Sequence, residues 1–284
     1  MLDKTSRAPG RKSRRRVVPR DALPVTPPLS LLPITGLPLF HPGDPLVEPL
    51  AAALQPIPDI NPRDILVVAH KIISRTRGYL ADLQTISPGP EAVALARRIG
   101  KDPRKVEVIL RESRSVVKAE WIEGQTTGVL ICEHLSGHVC ANAGVDESNS
   151  VDKDLLVLLP RDPDAEARRL RAELAEAIGF PLPVLISDTF GRPWRRGLVN
   201  VAVGCAGLEP LIDLRGTPDL AGRPLTASIQ AAADELAAAA GLLMRKTNRV
   251  PAVLIRGFPF RTGASLDSDG AVTLVRPKSE DLFR

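Results

Sequence analysis

Two stretches constrain this chain most, because each begins as an apolar, β-prone run and then breaks into small and polar residues around one acid. The first, Gly137 to Asn149, reads Gly-His-Val-Cys-Ala-Asn-Ala-Gly-Val-Asp-Glu-Ser-Asn and holds Asp146. The second, Ile186 to Gly197, reads Ile-Ser-Asp-Thr-Phe-Gly-Arg-Pro-Trp-Arg-Arg-Gly and holds Asp188. A strand that delivers a carboxylate to its own end builds a charged site on a rigid scaffold. Two such deliveries suggest one shared metal or phosphate site. The second stretch adds Arg192, Arg195 and Arg196, whose forked cations suit anionic oxygens. Taken singly, either acid also reads as a cap or turn, since Asp, Ser and Asn side chains bond nearby backbone amides. Taken together, with the arginines adjacent, they favour a site.

The chain of 284 residues is long enough for a sizeable core, and with only 3% aromatic residues that core must be built from Val, Leu, Ile and Ala. There is no apolar run of the ~18 residues that a membrane span needs, so a soluble protein with no membrane partner is expected. The net charge of +5 is concentrated in residues 1–20, where eight basic residues face one acid, Asp3. Residues 1–27 therefore read as a disordered basic tail, a solvated extension more than an RNA- or membrane-binding arm. It lacks the apolar stretch of a secretory signal. The remainder has no basic excess and no basic patch interleaved with aromatics, which excludes a nucleic-acid-binding core. Three cysteines (Cys132, Cys140, Cys205) do not make a disulfide framework, and a reducing cytoplasm fits them.

Asp64–Ser74 reads as a buried strand and the turn leaving it, and Glu91–Gly100 as a helix stopped by glycine. Val106–Ile109 and Gly128–Cys132 read as short β-prone runs. His138–Ala141 pairs with the second of these as a hairpin turning at Ser136-Gly137. Leu155–Pro160 reads as a strand, Asp164–Gly179 as an amphipathic helix, and Leu182–Ser187 as the strand that delivers Asp188. Thr226–Met244 reads as an Ala-rich helix with Ala233, Leu236, Ala237, Ala240 and Leu243 on one stripe, narrow enough for close approach of a neighbour, as at an oligomer interface. Val253–Ile255 and Ala271–Val275 read as late strands. Hairpins mixed with αβ units point to an α+β fold.

Cys132, His134, His138 and Cys140 can share one face of the hairpin, and their types suit zinc. Their spacing is not a usual structural-site pattern, and a hairpin places such residues opposite one another without metal. Satisfied strand residues are the better reading.

Both acid-bearing stretches resemble the coenzyme F420-0:L-glutamate ligases (F420 gamma-glutamyl ligases), which add γ-linked glutamate to a deazaflavin cofactor. The resemblance extends to Gly36-Leu37-Pro38-Leu39 with Pro42-Gly43-Asp44, and to Asp64 through Arg75. It continues through Asp213-Leu-Arg-Gly216, Gly222-Arg-Pro-Leu225, Ala233-Asp-Glu-Leu-Ala237 and Pro251-Ala-Val-Leu-Ile-Arg-Gly257. It covers about Leu31 to about Gly257, and implies a ligase domain over 28–260 followed by a C-terminal extension, 261–284. The implied fold is two-lobed and homodimeric, with intertwined mixed sheets flanked by helices. The implied reaction is GTP-dependent amide formation between the deazaflavin precursor F420-0 and L-glutamate through an acyl phosphate. Mg2+ or Mn2+ would assist it, with K+ as a further candidate.

Residue by residue, the resemblance implies metal ligation by Asp146, Asp188 and Thr189. It implies nucleotide contacts at Leu37, Pro38, Leu39, Phe40, His70, Lys71, Arg75, Asn149, Met244 and Lys246. Asp188, Arg192 and Arg195 are the implied catalytic residues, the two arginines balancing phosphoryl charge. A ligase of this kind needs metal and cations more than a nucleophilic side chain. The chain departs from the family at Arg75, where lysine is usual, and at Arg245-Lys246, which replace a small and a polar or acidic residue; the second departure puts a second metal in doubt. No glycine-rich P-loop is present, so nucleotide binding rests on the resemblance. Two other readings stay open: a non-catalytic nucleotide- or deazaflavin-binding relative, and an amide ligase acting on another phosphorylated carboxylate.

Overall fold

The computed structural model describes residues 28–124, 126–147, 154–245, 248–261 and 270–282. The basic tail 1–27, Asn149 and Lys246 lie outside the described residues. In chain order the elements are β1 (Ser30–Ile34), α1 (Val47–Leu54), β2 (Ile65–Ala69), α2 (His70–Arg77), β3 (Leu80–Asp82), α3 (Pro90–Ile99), α4 (Pro103–Arg111), β4 (Ser113–Glu120) and β5 (Val129–His134). There follow β6 (Val139–Ala141), β7 (Leu155–Val157), α5 (Pro163–Ile178), β8 (Val184–Arg192), β9 (Arg195–Ala206), β10 (Ile212–Asp213), β11 (Ile229–Gln230), α6 (Ala232–Met244) and β12 (Ala252–Arg256). The fold is α+β with several sheets. No helix among the described residues is long and apolar enough to cross a membrane.

A five-stranded sheet in the order β1-β12-β2-β8-β9 forms the centre. Its middle strands are apolar on both faces, as a sheet covered on both sides demands. One face packs on α1 and α5 through Leu50, Leu54, Ala167, Leu170 and Leu174. The other packs on α6 through Ala233, Leu236, Ala237 and Ala240. The alanine stripe thus lets α6 lie close on its own sheet, where an approach across an oligomer interface was expected. A third core joins α3 and α4 to the β4-β5-β6 sheet through Ile99, Val106, Ile109, Leu130 and Cys132.

Several elements follow the sequence reading closely. Gly100 and Gly179 end α3 and α5 in the left-handed conformation, and Asp162 caps α5 by accepting from the Ala165 amide. The hairpin pairs Cys132 with Cys140.

Others correct it. The segment after β2 is a helix, α2, closed by left-handed Gly78, with Ile72 and Ile73 buried. Val106–Ile109 belongs to α4: Asp102 caps it through the Arg104 amide and Pro103 presets its first turn, overriding the β-preference of the valines. Thr226–Met244 is helical only from Ala232, because Ile229–Gln230 pairs with β10. Ala271–Leu274 is a single 3-10 turn rather than a strand. It is held by Asp164, whose carboxylate accepts from the Ala271 and Val272 amides at 2.7 and 3.1 Å. The strand carrying Asp188 does not end there: β8 runs on to Arg192 and turns back as β9, with Trp194 left-handed in the turn.

Candidate active site

The site is positioned by register. β2 and β8 run parallel, with Val68 beside Ile186 and Ala69 beside Ser187. The next residue on each chain is therefore His70 or Asp188. The His70 Nε2 lies 3.4 Å from Asp188 Oδ1. Ile34 pairs with Ala252, and Ala252 with Val68. Hence the segment leaving β1, which holds Leu37, Pro38, Leu39 and Phe40, departs from the same end of the sheet, where the parallel strands present their carboxyl ends. That end is the usual ligand crevice of parallel strands. Phe40 is buried in the α1–α5 core, whereas Leu39 is exposed.

Asp146 reaches the next residue of α2, Lys71, from the turn that follows β6. The turn before it holds Asn142, Ala143 and Gly144 at φ of 54, 51 and 71°, left-handed conformations that cost roughly 1 kcal/mol or more at the first two. A Cβ at Gly144 would stand 2.2 Å from the Leu159 side chain, so glycine is required there. A two-way bridge to Val157 then fixes the Asp146 backbone, with N···O distances of 2.9 and 2.8 Å. Its carboxylate meets the Lys71 ammonium at 2.5 Å. Arg75, one turn on along α2, is half-buried; burial holds its guanidinium below the ordinary value while Asp146 pushes it back up. Consecutive residues at the start of α2, His70 and Lys71, thus each face one of the two acids.

His70 is almost wholly buried. Its Nδ1 lies 3.2 Å from Ser74 Oγ, whose own proton goes to the Leu158 carbonyl at 2.6 Å, so Nδ1 donates to the hydroxyl. The Nε2 has no hydrogen-bond partner among the described residues. An unsatisfied buried ring nitrogen beside a carboxylate oxygen is a place where a bound group completes the bonding.

Thr189 faces the other way. Its hydroxyl donates to Asn200 Oδ1 at 3.3 Å, and the Asn200 amide approaches Met244 Sδ at 3.5 Å, on the α6 side of the sheet. Ser187 Oγ also meets Met244 Sδ, at 3.8 Å. Thr189 and Met244 are therefore brought together, through an asparagine and a serine that sequence reasoning missed. Arg192 and Arg195 are not brought to the acids by this chain. They pair across the tip of the β8–β9 hairpin, exposed, with Arg192 four residues or about 13 Å of strand beyond Asp188. Arg245 is exposed at the end of α6.

The Asp146 and Asp188 carboxylates are hard oxygen donors, the type that suits Mg2+ or Mn2+ when phosphate and water complete the shell. Among the described residues no group of three or more His, Cys, Asp or Glu side chains is placed to hold an ion, so any such ion would take most of its shell from phosphate and water. Lys71 and Arg75 put two positive charges beside Asp146, of the type that pairs with anionic oxygens. Burial pushes the Cys140 thiol to about 12, with Asp188 adding to it, and also raises Cys132, so neither is poised as a nucleophile. In the hairpin, His134 and His138 share Ser136 Oγ, at 2.7 and 2.8 Å from their Nδ1 atoms.

Residues 35–257 match the family described as F420-0:Gamma-glutamyl ligase. The Coenzyme F420:L-glutamate ligase of Methanothermobacter thermautotrophicus is 46% identical over 259 residues, covering 90% of this chain and 99% of that protein. The protein of the same name from Methanopyrus kandleri is 41% identical over 259 residues, 91% of this chain and 98% of the relative. That from Methanocaldococcus jannaschii is 40% identical over 251 residues, 87% and 94%. Carried by this match along most of its length, the chain belongs to the F420-0:gamma-glutamyl ligase family.

Proposed function

We propose that the protein is a GTP-dependent ligase that joins L-glutamate to the coenzyme F420 precursor, F420-0, through an acyl phosphate. The observation that carries this reading is the placing of His70 beside Asp188 and of Lys71 beside Asp146, which sets two carboxylates, an imidazole and an ammonium group at one helix start. The names of the relatives supply the substrates.

In this scheme Leu37–Phe40, His70 and Met244 border the nucleotide, with Asn149 and Lys246 as further contacts by resemblance. Lys71 and Arg75 hold phosphate oxygens. A divalent ion held by Asp146 and Asp188 would supply charge neutralisation at the phosphates. The γ-phosphoryl group passes to an oxygen of the acceptor carboxylate and GDP leaves. The amine of glutamate, after losing a proton, attacks the activated carbonyl carbon; the C–N bond forms and inorganic phosphate departs. Arg192 and Arg195 keep their proposed role as charge-balancing cations.

The same reading makes the enzyme a cytoplasmic, two-lobed homodimer. The exposed Trp194 and Leu198 on the β8–β9 hairpin suit burial against a second copy.

The test is isotopic. With oxygen-18 in the acceptor carboxylate, one labelled atom should appear in released phosphate for each amide formed. Label in GMP, with pyrophosphate released, would overturn the acyl-phosphate route.

A further inference from the structure

A cavity of about 310 Å³ opens beside β9, the outermost strand of the central sheet. Its walls include His138, Phe190, Val201, Asp234, Leu274 and Arg276. Phe190 lies two residues past Asp188 on β8, about 7 Å along the strand, so the cavity adjoins the acid site. The volume is at the small end of the range for small-molecule sites.

The polar groups on these walls are set by their neighbours. The Ser136 amide donates to His134 Nδ1 at 3.0 Å, so that nitrogen carries no proton. The Ser136 hydroxyl, 2.7 Å from the same atom, must then donate to it, and His138 Nδ1 must donate to the hydroxyl. His138 is left with a bare Nε2, 8% exposed as a residue, and this atom has no hydrogen-bond partner among the described residues. The ring is steered by an edge-on contact with Phe190, with centroids 6.3 Å apart at 83°. Burial favours the neutral ring, against the pull of Asp164 and Asp188. Asp234 gives one oxygen to the Ala202 amide at 2.9 Å, which leaves its other oxygen as an acceptor. Arg276 is exposed, with no ion pair to a described residue. Asp281 also lines the cavity and is engaged in a contact of its own. Two acceptors, one forked cation and an apolar wall between them match an ammonium group, one carboxylate of an acidic amino acid and a short methylene run.

We propose that this cavity seats the amine donor of the ligation, an acidic α-amino acid of glutamate's size, with His138 Nε2 and Asp234 accepting from its ammonium group and Arg276 pairing with a carboxylate. The proposal rests on the ligase reading above and adds the binding place of the second substrate. Phe190, Val201 and Leu274 hold the methylenes, and the strand joining Phe190 to Asp188 sets the amine beside the activated carboxyl group. The segment 270–282, beyond the residues matched to the family, thereby becomes part of the substrate site.

The experiment measures binding of radiolabelled L-glutamate by equilibrium dialysis, with F420-0 and a non-hydrolysable GTP analogue present, beside steady-state ligation. Wild type should bind saturably. Arg276→Ala, at an exposed position, and His138→Gln should each raise the glutamate Kd and KM at least tenfold. Affinity for the GTP analogue should not change, and Arg276→Lys should recover part of the loss. Wild-type ligation with unaltered glutamate KM in both variants would overturn the cavity assignment and leave the ligase reading standing. Absence of any glutamate binding by wild type would likewise overturn it. Glutamate binding that is lost in Arg276→Ala, without amide formation by wild type, would uphold the cavity and reject the ligase reading.

Discussion

The Asp188 carboxylate serves two neighbours through one oxygen: Oδ1 accepts from the Thr189 amide at 2.7 Å and faces His70. Asp188→Asn keeps the shape and the amide bond but removes the charge. Ligation should fall at least ~100-fold, the scale expected when preorganised electrostatic stabilisation is lost, while the melting temperature stays close to wild type. Near-normal turnover at ordinary Mg2+ would remove Asp188 from the metal site. Asp146 and Asp188 were legible in the sequence because two acid-bearing strand ends occur with arginines adjacent, and His70 and Lys71 through the resemblance; the structure puts each of these last two beside one of the acids. The direction of Thr189 was not legible. A register shift between Ile186 and Ser187 interrupts the pairing of β8 with β9, and nothing local in the sequence marks it. The distance of Arg192 and Arg195 from the acid was not legible for a related reason: pairing from Phe190 with Val199 carries β8 past Asp188.

At the level of elements, the β5–β6 hairpin makes a prediction about pH. His134 is wholly buried, and burial, with His138 and two arginines adding to it, lowers its pKa from the ordinary 6.5 to about 4. The unfolded chain therefore binds a proton that the folded one refuses between those values. Stability from this group is fully present above pH 6.5 and is lost as pH falls towards 4, to a maximum of about 3 kcal/mol. His134→Asn, which can still accept from the Ser136 amide, should flatten that loss. Urea midpoints at pH 7 and pH 5 would show a smaller drop in the variant than in wild type; equal drops would refute the assignment. Capping signals explain which elements could be read. Gly100, Asp162 and Gly179 were legible, and Asp102-Pro103 would have revealed α4 had the cap been weighed above the valines. The turn at Ala271 was beyond local reading, because Asp164, over a hundred residues earlier, fixes it.

Across the whole molecule, the 270–282 segment ties separate parts together. Ala271 completes the core beneath α6, and Lys278 meets the buried Glu133 at 3.0 Å. Asp164, itself nearly buried, takes its amide donors from this segment and from Cys205. Deleting residues 270–284 would strip a buried carboxylate of two donors, a loss of about 3 kcal/mol, and should lower the melting temperature by several degrees. Gly270→Ala should act in the same direction, since its Cβ would stand 2.2 Å from the Asp164 carboxylate. An unchanged melting curve in both would show that the segment is not docked in solution. Hairpins mixed with αβ units made the α+β class legible, and composition the aliphatic core, but not this clasp, whose partners are remote in sequence.

The strand order also dictates when such a protein can come into being. β12, the last strand made, lies between β1 and β2, two of the first. Until residues 252–256 have been synthesised, the early strands have no partner between them, and pairings so distant in sequence form slowly. Closure of the central sheet therefore waits for residues 252–256, and until they emerge the facing edges of β1 and β2 stand open to wrong pairings.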